Sequence, residues 1–141
     1  MKTIIAILMI VGTSAFCCGD YSIQEVVGTH LDAIKTGDAN KLKKAWADKG
    51  AQIVEIKNGN AEVKDTAKTF KLWTMAKNPN LNGKIHSVTK ITKELAVAKV
   101  SLNWQGSLYT EILTLAKKGK DWKIINKTYE VPKSAKSGYG F

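Results

Sequence analysis

The sequence predicts an α+β domain in which helices precede an antiparallel sheet. Two observations support this class. Amphipathic helical patterns open the domain, and strand-like segments joined by short turns close it. A hairpin and one further helix lie between these two parts. We expect the last four strands to form a sheet that curves over the helices and leaves a cavity at its open end.

The first two helices are delimited by capping residues. Ser22 and Glu25 have the spacing of a capping box at the start of the first helix, whose apolar residues then recur at helical intervals. Gly37 is in the position of a C′ glycine that ends this helix. Asp38 is expected to cap a second, short helix that includes Trp46.

The middle of the chain predicts a hairpin and then a third helix. Residues 51–57 alternate between apolar and polar side chains, as in a half-buried strand. Asn58 and Gly59 form a type I′ turn signal, which makes residues 61–64 the return strand. Asp65 is expected to cap the third helix.

Strand patterns fill most of the remaining sequence. Two short turns, Gln105-Gly106 and Lys118-Gly119-Lys120, separate alternating segments and favour an antiparallel meander. The four predicted strands cover residues 85–91, 95–104, 107–116 and 121–131.

Residues 1–17 predict a secretory signal peptide. Lys2 supplies a positive charge, and the apolar run from Ile4 to Val11 is too short for a normal membrane span. We expect the folded domain to occupy residues 22–131 and to be followed by a flexible C-terminal tail at residues 132–141. The domain is therefore expected to be exported, to the periplasm or into the medium.

The cleavage point of this leader stays open between two positions. Cleavage after Ala15 or after Cys17 would each leave small residues at the recognition positions. The second cut makes Cys18 the first mature residue and a candidate for lipidation, which would tether the domain to a membrane. Ala15 stands where a lipobox usually has leucine, so the alternative is that both cysteines are part of the leader.

The charge is strongly basic but is carried by lysine alone. The formal net charge is +10, and all 22 basic residues are lysines. Base-edge readout favours the guanidinium fork of arginine, and these lysines are spread along the chain, so we expect no nucleic-acid partner. Weak attraction to anionic lipid or polysaccharide is consistent with this charge.

Motifs for metals and cofactors are not found in the sequence. The chain has two histidines, and its two cysteines both lie at or before position 18, so the usual zinc ligand sets are not available. No glycine-rich phosphate loop and no nucleophile elbow is found. We therefore expect neither a metal nor a cofactor.

Several blocks of sequence resemble the nuclear transport factor two-like superfamily. This superfamily includes ketosteroid isomerases, SnoaL-like cyclases and the bacterial "putative lumazine-binding" proteins, and the last block is most similar to this lumazine-binding group. The resemblance covers about residues 22–131 and implies a cone-shaped, cystatin-like roll. The blocks are Val26-Val27, Ala33 to Asp38, Leu42, Trp46 to Asp48, Ala96 to Val100, Trp104 to Gly106, Ile112 to Leu115 and Trp122 to Lys127.

The resemblance also tests for isomerase chemistry. Ketosteroid isomerases use a tyrosine and a protonated aspartate as an oxyanion hole and a carboxylate as the base. The resemblance places the tyrosine position at His30 and the aspartate position at Thr114. The base position falls on Val54 or Glu55. Since two groups are changed and the third falls between two residues, isomerase activity is not predicted.

His30 and Glu55 are the candidate ionisable site residues. His30 lies on the apolar stripe of the first helix and should face inward, either as a core histidine bonded to a neighbouring group or as an acid/base or ligand donor. Glu55 is expected to point to solvent with the Val54 face buried, although a register change of one residue would turn it inward.

Five other residues are candidates for ligand binding. Trp73 and Trp104 are either core aromatics or walls of an apolar pocket. Thr114, Asn126 and Thr128 alternate with apolar neighbours on late strands. They either orient a ligand inside the cone or face solvent.

These patterns lead to one functional expectation and one alternative. We expect a small exported binding or accessory domain that holds a small apolar molecule or a protein partner in its cone. The alternative is a cofactor-independent enzyme of the SnoaL or isomerase type with His30 as acid/base. Apolar residues on both faces of the late strands also predict a homodimer through the outer face of the sheet, as is common in the superfamily.

Overall fold

The computed structural model describes residues 18–75 and 77–135. The predicted leader at residues 1–17 and residues 136–141 of the predicted tail lie outside them. In chain order the elements are α1 (Cys18–Thr36), α2 (Ala39–Ala45), β1 (Gln52–Lys57), β2 (Asn60–Lys64), α3 (Thr66–Met75), β3 (Asn82–Lys90), β4 (Leu95–Trp104), β5 (Ser107–Lys118) and β6 (Asp121–Glu130).

The strands form one six-stranded sheet in the order β2-β1-β6-β5-β4-β3. β3 to β6 form the predicted antiparallel meander. β1 also pairs with β6, in parallel, with Ile53 opposite Lys127. This parallel pair joins the hairpin to the meander, so the sheet is mixed rather than purely antiparallel. The α+β prediction is confirmed.

Capping residues set most helix boundaries as predicted. Gly37 has a φ of 68° after α1. Asp38 caps α2, because its side chain accepts hydrogen bonds from the backbone N–H groups of Asn40 and Lys41 at 2.9 and 3.2 Å. The start of α1 was predicted wrongly. The helix begins at Cys18, four residues before Ser22, and no proline in between interrupts helical backbone.

Two turns have left-handed backbone, which the sequence predicts for the first of them. Asn58 and Gly59 have φ values of 52° and 77°, and Gln105 and Gly106 have values of 49° and 81°. Two consecutive residues with positive φ are the signature of a type I′ turn, which matches the twist of the flanking strands. These turns fix the registers of the β1–β2 and β4–β5 hairpins.

The core lies between the helices and one face of the sheet, which we call the inner face. On β5 the residues of this face alternate with half-exposed or exposed ones, so that Leu113 and Leu115 are buried while Ile112 is exposed. The largest apolar side chains of the core are Ile23, Ile34, Leu42, Trp46, Ile53, Trp73, Leu102 and Leu113. Within residues 18–75 and 77–135, no helix is long and apolar enough to cross a membrane.

The same substitution is expected to change the free energy of unfolding by unequal amounts on the two faces of β5. Leu113→Ala removes a fully buried side chain and is expected to lower the free energy of unfolding by about 2–5 kcal/mol. Leu108→Ala changes a side chain that is 63% exposed on the same strand and should cost within about 0.5 kcal/mol. Urea denaturation measures both. Similar losses for the two variants would contradict the assignment of the faces.

Candidate functional site

The inner face of the sheet carries a row of polar side chains across three strands. Glu55 of β1 and Glu111 of β5 both lie opposite Tyr129 of β6. Tyr129 Oη donates a 2.7 Å hydrogen bond to Glu55 Oε2. The Tyr109 ring lies 6.2 Å from the Tyr129 ring, edge to face. The row therefore brings two carboxylates and two phenols to one region of the core.

A fully buried ion pair lies next to this row. Lys127 Nζ is 2.9 Å from Glu111 Oε1, and both side chains are 0% exposed. Lys127 Nζ also lies 4.2 Å from the centre of the Trp73 ring, in cation–π geometry. The ammonium group is thus enclosed by a carboxylate on one side and an indole on another.

Burial shifts the pKa of each partner in the direction that favours its uncharged form. It lowers the pKa of Lys127 to about 8, while the attraction of Glu111 opposes this shift. It also raises the pKa of Glu111, and here the nearby Lys127 opposes the shift. The reason is that the interior of a protein solvates charge less well than water does. The contact between the two groups therefore opposes the effect of burial on both of them.

His30 is buried beside this pair and is a hydrogen-bond acceptor at one nitrogen. Trp46 Nε1 donates to His30 Nδ1 at 3.1 Å. Burial, and then the positive charge of Lys127, hold the pKa of His30 well below its usual value. The imidazole is therefore neutral and its proton is on Nε2, because an indole N–H can only donate. Nε2 has no hydrogen-bond partner among the described residues.

Aromatic rings surround His30 and form the wall toward the helices. The His30 ring lies 5.5 Å from the Trp46 ring and 5.7 Å from the Trp73 ring, edge to face in both cases. Phe70 of α3 packs against Trp46 at 5.0 Å and against Trp73 at 5.7 Å. Such pairs stabilise a core beyond their buried area and fix the orientation of each ring.

One surface cleft shares residues with this aromatic cluster, and we call it the Trp46–Phe70 cleft. Its volume is about 380 Å³. It lies between the end of α2 and the first turns of α3, and most of its accessible lining is apolar. The lining residues are Lys43, Trp46, Ala47, Asp48, Gly50, Ala51, Thr66, Ala67 and Phe70. His30, Glu111 and Lys127 lie behind the aromatic wall and do not line this cleft.

Glu55 does not face solvent, and the expectation that its strand buries the Val54 face was wrong. Glu55 as a whole residue is 7% exposed, and its carboxylate accepts the hydrogen bond from Tyr129. Its neighbour Ile53 is fully buried on the same face. The cause is the parallel pairing with β6, which places Ile53 opposite Lys127 and Glu55 opposite Tyr129.

Three residues expected either in the cone or in solvent lie on the outer face of the sheet. Thr114 is opposite Asn126, and Thr128 is opposite Ile112, which is 39% exposed. Thr128 Oγ1 donates to Asn126 Oδ1 at 2.9 Å. All three are half-buried, and none points into the cone. They therefore do not orient a ligand there.

The two candidate tryptophans have different surroundings. Trp73 is fully buried and contacts both His30 and Lys127. Trp104 is half-buried and lines a separate cleft of about 460 Å³ with Asn103, Gln105 and residues 77–81. Trp73 therefore belongs to the polar cluster, whereas Trp104 lies at a different surface of the domain.

Sequence reasoning missed Glu111, Lys127, Tyr129 and Phe70 as site residues. The sequence did contain a signal for Glu111. It lies an even number of residues from Tyr109 and the buried leucines of β5, so it is on the same face of the strand. Lys127 had no such signal. An extra residue, Ile125, interrupts the pairing of β6 with β5 between Ile124 and Asn126, and this bulge changes which residues of β6 face inward.

The arrangement is suited to recognition rather than to proton transfer. His30 has its lone pair engaged by Trp46, so its ring is not arranged to accept a proton. Its hydrogen-bond partner is an indole and not a second ionisable group. The carboxylate of Glu111 is engaged by Lys127, and that of Glu55 by Tyr129. What the cluster offers is aromatic surface with a buried N–H donor behind it.

The fold places the domain in the nuclear transport factor two-like class. A protein of this class of unknown function from Silicibacter pomeroyi superposes with a TM-score of 0.69 at 20% identity, over 79% of this chain and 94% of its own. One from Methylobacillus flagellatus gives 0.69 at 20% identity, over 84% and 96%. A ketosteroid isomerase-like protein from Erwinia carotovora atroseptica gives 0.61 at 15% identity, over 83% and 100%. At these identities the likeness shows the fold alone.

The sequence itself identifies the family. The profile of the family described as "Putative lumazine-binding" matches residues 20–130. The chain belongs to this family, which confirms the resemblance seen in the sequence blocks. Comparison with curated proteins finds no matching relative.

The burial of His30 predicts a pH dependence of stability. Between the lowered pKa of the folded state and the ordinary imidazole value of about 6.5, only the unfolded chain binds the proton. The free energy of unfolding should therefore fall as the pH drops below about 6.5, by up to about 1.4 kcal/mol per pH unit. Denaturation at several pH values measures this slope.

Two matched variants test the assignment to His30. His30→Gln should lose this contribution to the slope, whereas His86→Gln, at the exposed histidine, should keep it. An unchanged slope in His30→Gln would mean that the buried imidazole is not its source.

Proposed function

We propose that the chain is an exported binding domain that holds a small, flat, mostly apolar molecule in the Trp46–Phe70 cleft. The observation that supports this most directly is the aromatic wall of the cleft, where the two rings meet at 5.0 Å. Rigid aromatic surface with few polar groups is how ligand pockets gain affinity and orientation. The site lies between the end of α2 and the first turns of α3.

The size and polarity of the cleft fit this class of ligand. Its volume of about 380 Å³ is at the lower end of the range of small-molecule pockets, about 300–1,000 Å³. Lys43 and Asp48 at its edge offer one cationic and one anionic contact for polar substituents. The family description names lumazine, which is a flat heteroaromatic compound. The proposal rests on the size and lining of the cleft and does not carry that particular compound over to this chain.

The enzyme alternative receives less support from the same geometry. It requires His30 to exchange protons with a substrate and a second ionisable group within hydrogen-bond reach. The one hydrogen bond described for His30 is to the Trp46 indole, and the ring is buried behind the cleft. We therefore favour binding over catalysis.

Export is part of the proposal and is supported by the leader pattern. Lys2 and the apolar run from Ile4 to Val11 have the charge and length of a signal peptide. A tether through Cys18 would keep the exported domain at a membrane. The mass of the chain recovered from its host reports both cleavage and acylation.

Native mass spectrometry of the chain purified from its own host tests ligand binding. We expect the wild-type protein to retain a bound small molecule. Phe70→Ala should reduce retention about tenfold, because it removes half of the aromatic wall. Met75→Ala, at an exposed position of the same helix, should retain the molecule as the wild type does. A wild-type protein that carries no added mass would overturn the small-molecule proposal.

We also propose a homodimer through the outer face of the sheet. An uncharged row crosses four strands there, with Val63 opposite Val54, Val54 opposite Thr128 and Thr128 opposite Ile112. Val63 is 63% exposed and Ile112 is 39% exposed. A second copy of this chain that presents the same row would bury both, and self-complementary patches are typical of twofold dimers.

Analytical ultracentrifugation at micromolar concentration tests the dimer. Ile112→Lys places a charge at the β5 end of the row and should shift the protein to monomers. Met75→Lys adds the same charge on α3 and should leave the dimer intact. A wild-type chain that sediments only as a monomer would refute the proposal.

A further inference from the structure

Lysine side chains are concentrated at one end of the sheet. The β3–β4 and β5–β6 turns lie together there, because the backbone N–H of Lys117 donates to the carbonyl of Glu94 at 2.9 Å. The exposed lysines of these two turns define what we call the lysine end: Lys90, Lys93, Lys117, Lys118 and Lys120.

The end of α2 adds further positive charge beside this surface. Lys123 Nζ donates to the backbone carbonyl of Lys44 and so joins β6 to α2. One cleft of about 360 Å³ is lined by Lys49, Lys118 and Lys123, over a floor that includes alanine and isoleucine side chains. A second cleft of about 250 Å³ on the other side of Lys123 is lined by Lys44 and Lys120.

Acidic residues at this end are fewer than the lysines. Asp48 and Asp121 lie at the two clefts, Glu25 faces the second one, and Glu94 is in the β3–β4 turn. The surface therefore keeps an excess of positive charge after these four carboxylates are counted.

An exposed apolar side chain lies among these lysines. Ile91 is 54% exposed and follows Lys90 directly, with Lys93 two residues further on. The turn that carries Ile91 is fixed, because the backbone N–H groups of Ile91 and Thr92 both donate to the carbonyl of Leu95, at 2.8 and 3.0 Å. The turn thus holds Ile91 directly after the end of β3, between Lys90 and Lys93 in the chain.

We propose that the lysine end docks the domain on an anionic lipid bilayer, with Ile91 inserted at the level of the headgroups. Each lysine near an anionic membrane contributes attraction, and an apolar side chain gains by leaving water for the interface. A soluble anionic polymer would neutralise the lysines but would leave Ile91 in water. Lipid therefore accounts for both features of this surface.

The course of the chain agrees with this orientation. Glu25, Val26 and Thr29 in the middle of α1 line the same cleft as Lys120 and Lys123. The middle of α1 therefore lies at the lysine end. The docking proposal rests on the lysines and Ile91 and does not require a lipid tether at Cys18.

Partitioning onto vesicles tests the electrostatic part of the proposal. The chain recovered from its own host is mixed with vesicles of phosphatidylcholine alone or with phosphatidylglycerol added. K117Q/K118Q/K120Q should lower partitioning onto the anionic vesicles about 100-fold, because it removes three lysines that are attracted to the anionic surface. K57Q/K84Q/K133Q, at exposed positions toward the opposite end of the sheet, removes the same charge and should change it little.

A second pair of variants tests the apolar contact. Ile91→Ser should lower partitioning onto anionic vesicles about fivefold to tenfold, because a partly buried isoleucine is lost from the interface. Met75→Ser changes an exposed apolar residue outside the lysine end and should have no such effect.

Chemical labelling of lysines on the vesicle-bound chain reports which surface faces the membrane, also when a lipid tether holds the chain on the vesicle. Lys118 and Lys120 should react more slowly with an amine-acylating reagent on anionic vesicles than on neutral ones. Lys57 and Lys84 should react equally on both. Equal losses for the two triple variants, an unchanged footprint, or binding to a soluble anionic polysaccharide without binding to vesicles would each overturn the proposal.

Discussion

The parallel pairing of β1 with β6 is the constraint on which the interior of this domain depends. It attaches the β1–β2 hairpin to the meander and places Ile53 and Glu55 opposite Lys127 and Tyr129. Because α3 follows the hairpin directly, the same pairing brings the Trp73 ring over Lys127. A strand shifted by one residue would turn Glu55 outward and leave Tyr129 without its carboxylate. The contacts that distinguish this core therefore follow from one register.

Because charged groups are buried between the helices and the sheet, the β1–β6 register must bring their partners into place accurately. Lys127 and Glu111 have given up their hydration, at a cost that their mutual attraction offsets only when the geometry is good. His30 stays neutral in this environment, because burial lowers the pKa of its imidazole and the positive charge of Lys127 lowers it further. The neutral imidazole accepts the Trp46 hydrogen bond and packs edge to face against Trp46 and Trp73.

The two sites proposed for binding lie on the surface of the domain, at the Trp46–Phe70 cleft and at the lysine end. The aromatic wall reaches the outside at the Trp46–Phe70 cleft, where a flat molecule would meet rings that are already held in place by the core. The lysine end lies where the β3–β4 and β5–β6 turns meet, and its chemistry suits an extended anionic surface. On these two proposals, one rigid scaffold separates small-molecule recognition from attachment, because its helices and its strand turns present unlike side chains.

The sequence by itself determined the order of the elements, the turn types and the family. Caps such as Asp38 and positive-φ pairs such as Asn58-Gly59 act locally, so their signals can be read from neighbouring residues. Tertiary structure alone decided which face of each strand is buried. The β1–β6 register turned Glu55 inward, and the bulge at Ile125 put Lys127 inside while Asn126 and Thr128 stayed outside. Pairing between distant strands carries no local signal, and that is why the polar cluster could not be assembled from the sequence.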